Sequence, residues 1–112
     1  MALTPELQNC IDRCTECADE CRSCADECRS MSGQDDLMHC AEVCDACADH
    51  CDMTIQTMQT GSNADCATCA RVCDDCAAEC EKHNYRFTNG CSLVCRQCAD
   101  ACRTSANTPV GA

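Results

Sequence analysis

The sequence is poor in the residues that usually build a protein interior. It has no Trp, one Phe and one Tyr, and only 11 of its 112 residues are Leu, Ile, Val or Phe. So little large apolar side chain ordinarily leaves a chain disordered. No apolar run approaches the ~20 residues of a membrane span, so a transmembrane helix is excluded. Basic residues are scarce as well, 8 against 19 acidic, and a net charge of −11 argues against nucleic acid and membrane surfaces as partners. The opening residues Met1-Ala2-Leu3-Thr4-Pro5-Glu6 contain no basic segment, apolar segment or twin arginine. No export signal is therefore expected, and the expected location is cytoplasmic. There is no Ser/His/Asp set, no paired-carboxylate constellation and no Gly-rich phosphate loop, so an enzyme is not expected.

What the chain has is cysteine. Of its 51 hydrophobic positions, 19 are Cys and 15 are Ala. The cysteines must be the core or hold one together. Nineteen is odd, so a secreted disulfide scaffold would leave one thiol over whatever the pairing. In the cytosol thiols stay reduced, and dense cysteine there reads as metal binding.

Spacing sharpens this. The cysteines fall into four runs: Cys10, Cys14, Cys17, Cys21, Cys24 and Cys28; Cys40, Cys44, Cys47 and Cys51; Cys66, Cys69, Cys73, Cys76 and Cys80; and Cys91, Cys95, Cys98 and Cys102. Within the runs nine gaps of four residues alternate with six gaps of three, without a break. That is the apolar stripe of a heptad, which no strand can present. A seven-residue unit recurs as TECADEC, RSCADEC, DACADHC, DDCAAEC and RQCADAC, each with an Ala after its inner Cys (Ala18, Ala25, Ala48, Ala77 and Ala99). A methyl there lets helices approach closely, and the charged remainder suits a solvated face. Thr4-Pro5 signals a helix start. Ser32-Gly33-Gln34-Asp35 separates the first two helices, and Gly61-Ser62-Asn63 the next two, with Asp65 completing a weak capping box from Ser62. Residues 84–90 form the third turn. The pattern predicts an all-α, single antiparallel up-down-up-down four-helix bundle over 1–112, with helices near 5–31, 36–59, 63–84 and 89–105 and a tail at 106–112.

A sulfur-lined tube has few uses. Plain packing by Cys, a small hydrophobe, does not account for nineteen where Leu would bury more area. Disulfides along one helix are disfavoured, because residues three or four apart hold their Cβ atoms ~5–6 Å apart, beyond the ~3.5–4.5 Å that a disulfide wants. Tetrathiolate zinc would make at most four sites, each a dianion in a nearly dry core. Iron–sulfur ferredoxins use C-x2-C-x2-C runs on loops, and no such run occurs. A soft monovalent ion fits better. Cu(I) favours thiolates, and each Cu⁺ that replaces a thiol proton leaves the formal core charge unchanged. The expected function is storage of many Cu(I) ions on all nineteen cysteines. A zinc- or cadmium-sequestering protein, or an Fe–S or dithiol redox protein, stands as the alternative.

With these features the sequence resembles the bacterial copper storage proteins, four-helix bundles whose cysteine-lined cores load many Cu(I) ions. The resemblance covers roughly 7–102. It rests on the CxxxC ladder of all four helices, on Ile55-Gln56-Thr57-Met58-Gln59-Thr60 closing the second helix, and on Cys80-Glu81-Lys82-His83 closing the third. It is similar to the cytosolic branch and implies a homotetramer. Where relatives often carry further His and Cys after the third helix, this chain has Tyr85, Phe87 and Thr88.

Up-down-up-down topology gives the tube two unlike ends. At one, Met31 continues the first stripe, Met38 and His39 precede Cys40, and His83 follows Cys80 on the stripe. Thioether and imidazole bind Cu(I) more weakly than thiolate, which suits transient capture and exchange with a copper carrier. At the other, Leu3, Leu7, Ile55 and Met58 form an expected plug.

Overall fold

The computed structural model describes residues 3–31 and 35–108. The expected turn at Ser32, Gly33 and Gln34, and the tail residues Pro109 and Gly111, lie outside the described residues. Four helices follow one another: α1 (Pro5–Ser30), α2 (Asp35–Gln59), α3 (Cys66–Glu81) and α4 (Arg86–Ala106). Helix α1 packs against α2 and α4, and α3 against α4 and α2, in a bundle of 52 × 18 × 18 Å. No described helix is long and apolar enough to cross a membrane.

Local chemistry sets the helix ends. Thr4 caps α1, its Oγ1 accepting from the Leu7 N–H at 3.1 Å, and Pro5 opens the helix where its missing N–H costs nothing. Asp35 and Asp36 lie in the first turn of α2, where carboxylates meet the positive end of the helix dipole. Gly61 ends α2 with φ of 90°, a left-handed conformation that favours glycine.

Two helix starts differ from the spacing-based spans. The Ser62–Asp65 capping box does not form: Ser62 Oγ accepts from the Ala64 N–H instead, and Asp65 accepts from Thr57 Oγ1 at 2.6 Å. Asn63 is meanwhile drawn across the bundle, donating to the Ser105 and Thr108 carbonyls at 2.7 and 3.1 Å. Helix α3 therefore starts at Cys66 rather than 63. Helix α4 starts earlier than 89, at Arg86, because Thr88 reaches back and accepts from the Tyr85 N–H at 3.1 Å. Tyr85 stacks on Phe87 at 5.3 Å, fastening the same turn.

All nineteen cysteines are buried, and so are Ala18, Ala25, Ala48, Ala77 and Ala99. On the outer face Arg22 pairs with Asp52 and Arg29 with Asp45, tying α1 to α2. Arg96 and Arg103 both meet Asp74, tying α4 to α3. Among the described residues no Arg–carboxylate pair joins α2 to α3 or α1 to α4.

Candidate metal centre

Because each stripe faces inward, four ladders of sulfur meet along the bundle axis. Cys10 Sγ lies 3.5 Å from Cys102, Cys98 3.6 Å from Cys14, Cys17 3.7 Å from Cys95, and Cys21 3.6 Å from Cys95. Further along, Cys91 stands 3.7 Å from Cys21, Cys44 3.8 Å from Cys80, and Cys40 3.9 Å from Cys80. These are contacts between free thiols, and none of the nineteen is in a disulfide.

Sulfurs group into fours whose members all lie within 4.8 Å of one another. Cys14, Cys69, Cys98 and Cys102 form one tetrad, and Cys98 belongs also to the next, with Cys17, Cys51 and Cys73. Cys17 passes on to Cys21, Cys47 and Cys95; Cys21 and Cys95 to Cys76 and Cys91; and Cys91 to Cys24, Cys44 and Cys80. Each of these five tetrads thus shares sulfur with the next. A metal–sulfur bond of about 2.3 Å sets sulfurs about 3.8 Å apart in a tetrahedral site and about 4.0 Å apart in a trigonal one. Spacing alone therefore admits several metals, and sharing is what discriminates. A closed tetrathiolate needs four sulfurs of its own, whereas overlapping tetrads supply bridging sulfurs between ions at adjacent levels.

Neighbouring thiols and burial act in opposite directions along the column, lowering some cysteines, such as Cys10 and Cys40, and raising others. Burial pushes the Cys28 thiol up to about 12, and the neighbouring Cys40 sulfur adds to the rise. Cys66 is raised as well, by its contact with Cys10 and then by burial. Metal loading at such raised thiols therefore releases protons.

Leu37 of α2 and Thr88 of α4, with Met31 just past the end of α1 and His83 just past the end of α3, follow the last cysteines at the α1–α2 turn. Met31 is half-buried there, Leu37 and Thr88 are buried, and His83 is 11% exposed. The expected role of Met38 needs correction. Counting back three from Cys40 places Leu37 on the stripe, and Met38 points outward, 43% exposed. His39 lies off the stripe, as its position implies, yet its Nε2 stands 3.6 Å from Glu79 Oε1. His83 Nε2 stands 3.2 Å from Glu79 Oε2. At the opposite end Leu7 and Met58 are buried, with Leu3 and Ile55 packed partly over them. Thr54 and Ser105 fill the remaining places, each donating to a backbone carbonyl.

A family model described as "Copper storage protein" matches residues 3–107. The chain belongs to the copper storage protein family. Among solved structures of the family, the Cu(I)-bound copper storage protein BsCsp3 shares 35% identity, covering 90% of this chain and 98% of its own, with a TM-score of 0.85. Apo-Csp3 from Bacillus subtilis shares 33%, over 88% and 97%, with a TM-score of 0.81. A cytosolic copper storage protein from Streptomyces lividans, described with five coppers, shares 30%, over 93% and 94%, with a TM-score of 0.88. Comparison with the curated proteins gives no match.

Within a copper storage family bundle, two further residues stand at the rim, Leu37 and Glu79. Leu37 could have been found by continuing the ladder one rung. Glu79 is harder: it occupies the same place in the seven-residue unit as Glu27, which is exposed, yet Glu79 is only 7% exposed. The available signal is its spacing of four from His83, one turn on the same face.

Proposed function

We propose that this chain stores Cu(I) in the cytosol, many ions per molecule, on its nineteen core cysteines, and catalyses no reaction. The observation that carries this reading is the run of overlapping sulfur tetrads, in which each group of four shares a ligand with its neighbour. Shared sulfur suits an ion content with two- or three-coordinate geometry and bridging thiolates. It is unsuited to isolated dianionic zinc sites.

Loading is an exchange of cations. Each Cu⁺ displaces one thiol proton, so an added ion leaves the formal charge of the low-dielectric core unchanged, and occupancy is not limited by mounting charge. Metal bound only by the folded state also stabilises it, which a core short of Leu and Phe needs. At the rim, His83 and Met31 are the weak donors proposed to receive Cu⁺ from a carrier and pass it to Cys28, Cys40 and Cys80. His39 is proposed to assist from the edge of the opening. Met38, facing outward, is placed at most for a first encounter. We further propose a homotetramer, with the exposed Leu93 and Met53 among the surfaces available to subunit contacts; sedimentation of the apo and loaded forms tests it.

Titration of the reduced protein with Cu(I) against a competing chelator, beside Zn(II), tests the function. Saturation near one Cu(I) per thiol, with copper preferred, is the expected result. Saturation at about four metals with zinc preferred would overturn it.

A further inference from the structure

Glu79 has no part in the sulfur column, and its surroundings are unlike any other on the molecule. It is a carboxylate at the end of α3, nearly buried, on which two imidazoles from different helices converge. His39 of α2 presents Nε2 to Oε1 at 3.6 Å, and His83 presents Nε2 to Oε2 at 3.2 Å. The group lines a 400 Å³ pocket at the α2–α3 seam, and Asp35, Asp36 and Lys82 complete its wall. Three carboxylates against one ammonium make the pocket a place that attracts cations.

We propose that His39, Glu79 and His83 form a second metal site, for one borderline divalent cation such as Zn(II), and that its occupation closes the rim to Cu(I). The donor set decides the class of ion. Two imidazole nitrogens and a carboxylate oxygen suit Zn(II) and its neighbours, whereas Cu(I) is held better by the thiolates beneath. Metal–nitrogen and metal–oxygen bonds of about 2.0–2.2 Å around a tetrahedral ion separate its ligands by about 3.3–3.5 Å. The observed 3.2 and 3.6 Å are close to that spacing and run to the two different oxygens of Glu79, so each imidazole faces one oxygen of the carboxylate. A fourth position would be left for water from the pocket that these three residues line. A hydrogen-bonded cluster would show similar distances, so Lys82 is informative. Its Nζ lies 3.2 Å from Glu79 Oε1 on an exposed stem, where it competes with a cation for the same oxygen. Removing a structural ion pair partner would do nothing for metal binding, whereas removing a competitor must tighten it. The consequence for exchange follows from geometry. His39 is next in sequence to Cys40 and His83 follows Cys80 by three, just past the end of α3, so an ion fixed on both would bridge α2 to the end of α3 beside the proposed entrance.

The second half of this proposal rests on the storage reading, and the experiment separates the two. Protein saturated with Cu(I) under anaerobic conditions, its capacity measured first, is titrated with Co(II) as a visible probe for the divalent site. One equivalent is expected to bind with d–d bands and no sulfur-to-cobalt charge transfer. His39→Ala, on an exposed side chain whose loss leaves the fold intact, and Glu79→Gln should each weaken binding by about tenfold or more, since even outer-shell partners cost about that much. Lys82→Ala should strengthen it. Zn(II) should slow removal of Cu(I) by a chelator in the parent protein and not in His39→Ala. Absence of d–d bands at millimolar Co(II), charge transfer from sulfur, or unchanged binding in His39→Ala would overturn the site. An unchanged rate of Cu(I) removal with Zn(II) bound would overturn the closure. If Cu(I) capacity itself is absent, storage fails, and the site is then judged from the spectral difference between the parent and His39→Ala.

Discussion

The two ends of the bundle receive the same sulfur ladder and finish it differently. At the rim the next rung is Met31, Leu37, His83 and Thr88, and the α2–α3 seam beside it carries Glu79, His39 and two aspartates. At the closed end the next rung brings Leu7, Thr54 and Ser105, with Met58 beyond, and the polar atoms are spent on the backbone. Ser105 Oγ donates to the Glu6 carbonyl at 3.1 Å, Thr54 Oγ1 to the His50 carbonyl at 2.9 Å, and Asn63 laces the α2–α3 loop to the end of α4. One rung of sequence therefore separates an end that carries thioether, imidazole and carboxylate groups from an end filled by hydrocarbon and backbone-bonded hydroxyls. The helices between them are indifferent to the choice.

The contrast can be broken or sharpened in several ways. The largest effect is expected midway between the ends. Replacing Cys17, Cys47, Cys73 and Cys95 together with Ala should lower Cu(I) capacity by at least the number of sulfurs removed, because Cys17 and Cys95 each also serve a neighbouring tetrad; a chelator-competition titration reads this. Unchanged capacity would mean that copper lies elsewhere. Next, Met31→Ala with His83→Ala should slow Cu(I) transfer to and from a chelator in stopped-flow traces while capacity stays almost the same. Equal rates in variant and parent would remove the distinction between the ends.

Leu7→Ala attacks the closed end. Excising a buried Leu typically costs about 2–5 kcal/mol, so denaturant unfolding of the apo protein should shift accordingly, with Cu(I) exchange on the folded protein unaltered. Faster exchange would show that the seal, and not the rim, limits transfer. A smaller effect is expected from pH. Cys28 at the rim is raised from its ordinary value of 9.0 to about 12, so the unfolded chain loses this proton first. The contribution of Cys28 to apo stability should be level below pH 9 and be lost as pH rises towards 12. Equilibrium unfolding across that range checks it, and Cys28→Ala should soften the decline. The smallest change is Thr4→Ala, the loss of one helix cap at the closed end, worth about 1 kcal/mol in thermal or chemical unfolding.

The sulfur column was legible because periodicity needs no tertiary information. A 4-3 alternation over four runs leaves the cysteines one common face per helix, and short connections leave the helices one arrangement. The helix ends were less legible where a side chain changes partner. Asp65 had the right spacing for a capping box, but Thr57 offered its hydroxyl from the preceding helix. Thr88 looked like a missing sulfur and turned out also to cap α4. Glu79 and Glu27 are indistinguishable within their repeats. They differ because α2 brings His39 over one of them, and adjacency across a seam is not written in the spacing of either helix.

The sealed end has a consequence for the order of events. A tube that fills and empties through a single opening behaves as a stack: the ion deposited most recently is the one nearest withdrawal. With the proposed rim as the one entrance, copper loaded early, down among Cys10, Cys66 and Cys102, would become a reserve reached only after later deposits have left, unless ions trade places along the shared sulfurs. Loading one copper isotope and then a second, and following which leaves first by mass spectrometry, would show whether the molecule keeps a memory of its own history or erases it.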